Sequence, residues 1–154
     1  MACRARTLCA LVATSARSSS SQQLILDASA VVDWLIDSPG LGRSVGDHLA
    51  GAPVLATCDF CDVEVTSALR RKVFRGELTA LRAVSALDDL ADLNARRYPS
   101  AKLTSRIWEL RENLTPFDAA YVALAEALDL PLLTTDARIA LAPVHDAQVI
   151  VAGR

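Results

Sequence analysis

Aromatic residues are scarce in this chain, at 5% of 154 positions, and so are two chemically useful side chains, with two histidines and two lysines in all. It holds no apolar run of the roughly 18–20 residues that cross a bilayer as a helix, which excludes a spanning helix. It also lacks a basic surplus: the formal charge is −2, so any surface for a polyanion must be local. Scarce histidine leaves the Cys58-Asp-Phe-Cys61 spacing without partners for a zinc site, because His48 and His145 are scattered. The favoured reading of that pair is small apolar residues at a strand end, with a reversible Cys58–Cys61 disulfide as the alternative. Adding Cys3 and Cys9 does not make a disulfide framework, which a chain of this length with a full apolar core does not need.

What is abundant is aliphatic. Apolar residues reach 52% and mean hydropathy is +0.28, mostly from Ala, Leu and Val. That composition suits helices packed on both faces of a parallel sheet, within one domain. Residues 1–22 stand apart: they carry Arg4, Arg6 and Arg17, no acid, and the tract Ser18–Ser21. Without them the formal charge moves from −2 to −5. The patch Leu8–Ala13 is too short for a signal-peptide core, and a transit peptide shares the Arg- and Ser-rich, acid-free character. The reading adopted is a disordered leader or a start placed too far upstream, with the fold in residues 23–151.

From Gln23 onward apolar runs alternate with helical patterns. Strands are expected at Leu24–Leu26, Pro53–Ala56, Ala95–Pro99, Leu132–Thr134 and Gln148–Val151. Helices are expected at Ala28–Ile36, Gly42–Ala50, Phe60–Arg75, Thr79–Asn94, Lys102–Arg111, Pro116–Leu128 and Ala137–Leu141. Gly76 suits a left-handed cap, and Leu81, Val84, Leu87, Leu90 and Leu93 are read as one face of the Thr79–Asn94 helix. Strands separated by helices imply right-handed crossovers and a parallel sheet.

Four acids fall at strand ends or helix starts. Asp27 closes Leu24-Ile-Leu and Asp136 closes Leu132-Leu-Thr-Thr. Glu64 opens the long helix after Val54-Leu-Ala, and Asp118 sits in the first turn of a strongly helical segment. Each has a local explanation as a cap or a dipole-complementing charge; Thr115-Pro-Phe-Asp118 in particular matches a helix start with Pro at its first position. Together they lie where open α/β sheets place their ligand crevice. A crevice of carboxylates with few balancing cations recruits a hard divalent cation or protonates. By contrast Asp88, Asp89 and Asp92 read as a solvated helix face. Arg70-Arg-Lys72 is either a phosphate-contacting patch or a cationic helix end.

The stretches Leu26–Val31, Val63–Arg71, Arg75-Gly-Glu-Leu78, Leu114–Glu126 and Pro131–Asp136 resemble PIN-domain ribonucleases, and more narrowly VapC toxins of bacterial toxin–antitoxin pairs. The resemblance covers residues 23–151, with Phe117 where a tyrosine is usual and Cys58–Asp62 replacing a more ordinary apolar lead-in to Glu64. It implies a three-layer α/β/α fold and endonucleolytic cleavage of RNA in the cytoplasm. It also implies homodimerisation and inhibition by a VapB-type antitoxin, with no membrane partner. The implied acidic site is Asp27, Glu64, Asp118 and Asp136. In the mechanism expected, Asp27 and Asp118 hold Mg²⁺ or Mn²⁺ directly, while Glu64 and Asp136 complete the site directly or through water. Ser29, Thr115 and Thr135 would orient carboxylates or waters. Candidate RNA contacts are Arg70, Arg71, Lys72, Arg96, Arg97 and Arg106. The rival readings are a catalytically inactive RNA- or protein-binding module, and a phosphatase-like protein using Asp27 as nucleophile. The second is weakened by the absence of an acid at position 29 and by having only Lys72 and Lys102 as lysines.

Overall fold

The computed structural model describes residues 23–50, 52 and 54–153, so the leader expected at 1–22 lies outside the described residues. Five strands form one sheet: β1 Gln23–Leu26, β2 Val54–Cys58, β3 Ala95–Tyr98, β4 Leu132–Thr134 and β5 Val149–Val151, in the order β3-β2-β1-β4-β5. Every pairing is parallel. Hydrogen-bonded strands facing the same way need crossovers, and the helices supply them. These are α1 Ala28–Leu35, α2 Leu41–Ala50, α3 Cys61–Phe74, α4 Ala80–Asp92, α5 Thr104–Glu109, α6 Pro116–Leu128 and α7 Ala137–Leu141. A short 3₁₀ turn at Ser100–Leu103 precedes α5, where one helix over Lys102–Arg111 was expected.

The chain winds outward from β1 through β2 to β3, then returns to the other side of β1 for β4 and β5. Its reversal point therefore lies between β1 and β4, beyond their C-terminal ends, where doubly wound sheets open a crevice. Helix α1 packs on α2, α3 and α4, while α6 lies across β1, β2 and β4 with α5 against it. The result is the expected three-layer α/β/α arrangement. In α6, residues 119 to 125 are all buried, and four of those seven are alanine, which lets the helix seat close to the sheet.

Helix α4 corrects one expectation. Leu90 and Leu93 are buried and Leu87 packs on the core, but Leu81 and Val84 are 83% and 56% exposed; Ala83 and Ala86 are buried instead. Residues spaced by three fall back about 60° per step on a 3.6-residue helix, so a run of five cannot share a face.

Two glycines do different work. Gly76 (φ 71°) ends α3: its N–H donates to the Val73 carbonyl and that of Glu77 to the Lys72 carbonyl, a paired left-handed cap. A Cβ there would meet nothing within 4 Å. Gly42 is tight instead, because a Cβ would come to 2.8 Å from Asp37 Cα and 2.9 Å from the Asp33 carbonyl oxygen. Gly76→Ala should therefore cost about 1 kcal/mol, from the left-handed conformation alone. Gly42→Ala should cost about 3 kcal/mol through overlap with backbone. Urea unfolding measures both, and the reverse order would contradict this packing.

Candidate active site

Asp27 follows β1 directly, at the reversal point. Its backbone is extended as a helix N-cap requires (φ −79°, ψ 149°), yet its carboxylate makes no capping hydrogen bond to α1. Instead Oδ2 accepts from Ser29 Oγ at 2.5 Å and from Thr134 Oγ1 at 2.6 Å, while neither hydroxyl engages Oδ1. Side-chain hydroxyls rather than the helix's backbone N–H groups thus make the short contacts to this acid. The residue is only 5% exposed. Burial raises its carboxyl well above the ordinary value, the two hydroxyls oppose that, and the charge of Asp118 adds to it. Buttressing lies beneath: Thr57 Oγ1 donates to the Leu26 carbonyl at 2.8 Å, and Asp27 N–H to the Leu133 carbonyl at 3.1 Å.

Glu64 lies in the first turn of α3, where the helix dipole favours an acid. Its Oε2 accepts from the Tyr121 hydroxyl at 2.8 Å, which ties α3 to α6 across the head of β2. Burial raises the Glu64 carboxyl; the Tyr121 hydroxyl lowers it, Asp27 and Asp118 raise it further, and Arg71 pulls it down slightly. Asp118 is the third residue of α6, and there the expected cap is present: Thr115 Oγ1 donates to Asp118 Oδ2 at 2.7 Å and accepts from Asp118 N–H at 3.2 Å. Capping fixes where this carboxylate points, so cap and ligand are compatible roles. Three elements thus bring Asp27, Glu64 and Asp118 within reach of one another's charge. Among the described residues no lysine or arginine forms an ion pair with any of the three.

Asp136 is placed differently. It caps the five-residue α7, accepting from Arg138 N–H at 2.9 Å, and its two oxygens share the Arg138 guanidinium. That donor set holds its carboxyl below the usual range. Arg138 itself is 85% exposed and also feels the charge of Asp118. Thr135 needs a correction: the hydroxyl that orients Asp27 belongs to Thr134, which is buried, whereas Thr135 contributes its N–H to Ser29 Oγ at 3.1 Å. Side chains alternate across a strand, so Thr134 rather than its neighbour points at β1's end.

A family model described as the PIN domain matches residues 24–144. The chain belongs to the PIN-domain family. Ribonuclease VapC1 of Mycobacterium tuberculosis is 44% identical over 129 residues, covering 79% of this chain and 91% of that protein, which places this PIN domain among the VapC ribonucleases. The crystal structure of M. tuberculosis VapC20, a toxin that cleaves the sarcin–ricin loop, superposes with a TM-score of 0.62 at 17% identity, covering 77% and 93% of the two chains. The structure of VapBC2 from Rickettsia felis, bound to a promoter DNA fragment, superposes at 0.61 with 15% identity, covering 85% and 99%. Both bear on the fold.

The PIN domain's donor set suits a hard cation. Asp27 is fixed through one oxygen, and Glu64 and Asp118 are near enough to raise its charge cost or feel it. Among the described residues no three His, Cys, Asp or Glu side chains are grouped closely enough to hold a metal ion between them. Mg²⁺ does not need three, since it keeps several waters and takes one or two carboxylates. Cys58 and Cys61 are free and almost wholly buried. Burial raises both thiols, with neighbouring carboxylates adding to it, which suppresses the thiolate that metal binding or exchange requires. They are core residues.

Several cations proposed from sequence have partners within the fold. Arg97 gives Nε and Nη2 to Asp62 and Nη1 to the carbonyls of Leu93 and Ala95. Arg106 holds both oxygens of Glu126, and also Glu109 and the Val144 carbonyl. Glu126 lies eight residues beyond Asp118 on α6, about 12 Å along the axis. Arg96 stacks on Tyr98 and Arg70 on Phe74, and Lys72 pairs with Glu77. Of the six, Arg71 alone is coupled to Glu64.

The charge arrangement sets the pH response. In the unfolded chain Asp27 ionises near its ordinary value, about 3.9, and in the folded one only at higher pH. Metal-free protein therefore loses stability as pH rises through that window, because the folded state holds the proton longer. Asp136 acts oppositely, its contribution being lost only as pH falls through its lowered folded value. Asp27→Asn should be the more stable protein at pH 7 in EDTA, with the gap closing toward pH 4. Denaturant melts across that range decide it, and a wild type more stable than the variant at pH 7 would contradict it.

Proposed function

We propose that this protein is a divalent-metal-dependent endoribonuclease, the toxin of a VapBC-type toxin–antitoxin pair. What supports the reading most is the gathering of Asp27, Glu64 and Asp118 at the sheet's reversal point, where Asp118 raises the charge cost of Asp27 and both raise that of Glu64, with no ion pair to any of them among the described residues. The VapC relationship supplies the chemistry that such a site serves.

Asp27 and Asp118 would hold Mg²⁺ or Mn²⁺, with Glu64 completing the site directly or through water. When bound, the cation offsets charge developing on the scissile phosphate and eases deprotonation of water. The chain's own residues do the rest. Ser29 and Thr134 keep Asp27 Oδ2 occupied and turn Oδ1 toward the crevice, Thr115 aims Asp118, and Tyr121 fixes Glu64. Asp136 holds Arg138 at the rim beside Asp118, where a guanidinium can meet a phosphate. Arg71 is the second cation offered to the RNA backbone. The empty acidic site repels RNA, so RNA binding should need metal and weaken with salt.

A VapB-type antitoxin partner and a homodimer belong to the same reading, as does a cytoplasmic setting with the RNA. Exposed Phe74, Leu81 and Val84 on the α3–α4 hairpin give a protein partner apolar surface to cover. Among the described residues, no helix is long and apolar enough to cross a membrane.

The test is cleavage of a mixed structured RNA pool by the antitoxin-free protein, with Mg²⁺ or Mn²⁺ and with EDTA. Discrete cuts are expected with metal only. They should vanish in Asp118→Asn and slow by roughly 10–100-fold in Ser29→Ala, whose loss frees Asp27 to turn. A folded protein that makes no metal-dependent cuts, or an Asp118→Asn variant that cuts as well as wild type, would overturn the reading.

A further inference from the structure

One large apolar side chain is left in water at the edge of the acidic site. Phe117 is 53% exposed, less than Phe74 or Trp108, and what sets it apart from them is its place beside Asp118. It is the second residue of α6, directly before Asp118, in a turn fixed by Pro116 and the Thr115 cap. Its ring meets Phe60 edge-to-face, with centroids 5.4 Å apart and planes at 67°. Phe60 in turn meets Tyr121 at 5.4 Å and 64°, and Tyr121 carries the hydroxyl that binds Glu64. The exposed ring is thus held on one side by a three-ring stack anchored to the acids, with more than half of its surface in solvent. The exposed Arg138 guanidinium, paired with Asp136, also feels the charge of Asp118.

Resting on the ribonuclease reading, we propose that Phe117 is a stacking platform for an unpaired nucleobase next to the scissile phosphate, and so a specificity-determining positioning residue. An apolar core role does not require an exposed ring, and a ring pre-ordered by its neighbours binds a base with little further loss of freedom. Aromatic–base stacking is tolerant of base identity but demands that the base be unpaired. Phe117 would therefore select single-stranded or looped RNA over duplex, while Arg138 and Arg71 meet the backbone.

Phe117→Leu keeps an apolar side chain and removes the π-face; Phe117→Tyr keeps the ring. With the RNA pool and Mg²⁺, Phe117→Leu should raise KM roughly tenfold or more, relax the cut positions and hold kcat within a few-fold. Phe117→Tyr should behave as wild type, and all three proteins should melt alike. In rapid mixing with Mg²⁺, before cleavage sets in, a single-stranded oligoribonucleotide carrying 2-aminopurine should be quenched on binding with Phe or Tyr at 117 and not with Leu. Equal KM, equal cut positions and equal quenching with Leu would overturn the proposal while leaving the nuclease standing. A wild type that cuts no RNA would overturn both. Unchanged RNA binding with weakened antitoxin binding would assign the ring to the protein interface instead.

Discussion

A carboxylate that is almost wholly buried at the end of the central strand is an unfavourable thing to build, and the local structure is organised around keeping it. Among the described residues no arginine pairs with Asp27; it is held by two hydroxyls on one oxygen, opposed by the charge of Asp118, and in turn raises the charge cost of Glu64. Burial of that kind either protonates the group or calls in a cation. The parallel sheet makes it possible, since strands running the same way end at the same edge and the reversal between β1 and β4 leaves that edge open. Thr57 and Thr134, the only buried threonines among the described residues, both serve this one position.

Much of this was legible in the sequence, for physical reasons. Parallel strands buried on both faces read as short apolar runs, and acids closing such runs mark the ligand edge. The Thr115-Pro116 start of α6 and the Gly76 end of α3 are dictated by backbone chemistry, and both are as expected. The resemblance to PIN-domain ribonucleases rested on those same acids and their flanking residues, and the family relationship agrees with it.

What the sequence did not convey depends on partners distant along the chain. Nothing local distinguishes Thr134 from Thr135, and only the pairing of β4 with β1 selects the first. Arg97 and Arg106 look free in sequence because Asp62 and Glu126 are 35 and 20 residues away. Tyr121 was the nearest miss. It stands one turn beyond Asp118 and four residues from Phe117, a spacing that puts all three along one side of α6, yet its partner Glu64 is on another helix. Leu81 and Val84 failed for a different reason, a three-residue spacing mistaken for a helical face.

The claim at the centre is that Asp27, Glu64 and Asp118 act as one cation site. It is tested most directly by titrating the full-length protein with Mn²⁺ and following the free-ion electron paramagnetic resonance signal. Competition by Mg²⁺ and the Asp27→Asn and Glu64→Gln variants run alongside. The account predicts saturable binding that Mg²⁺ displaces, that Asp27→Asn abolishes, and that Glu64→Gln weakens. Binding that survives Asp27→Asn unchanged, or a folded wild type that takes up no Mn²⁺, would contradict it.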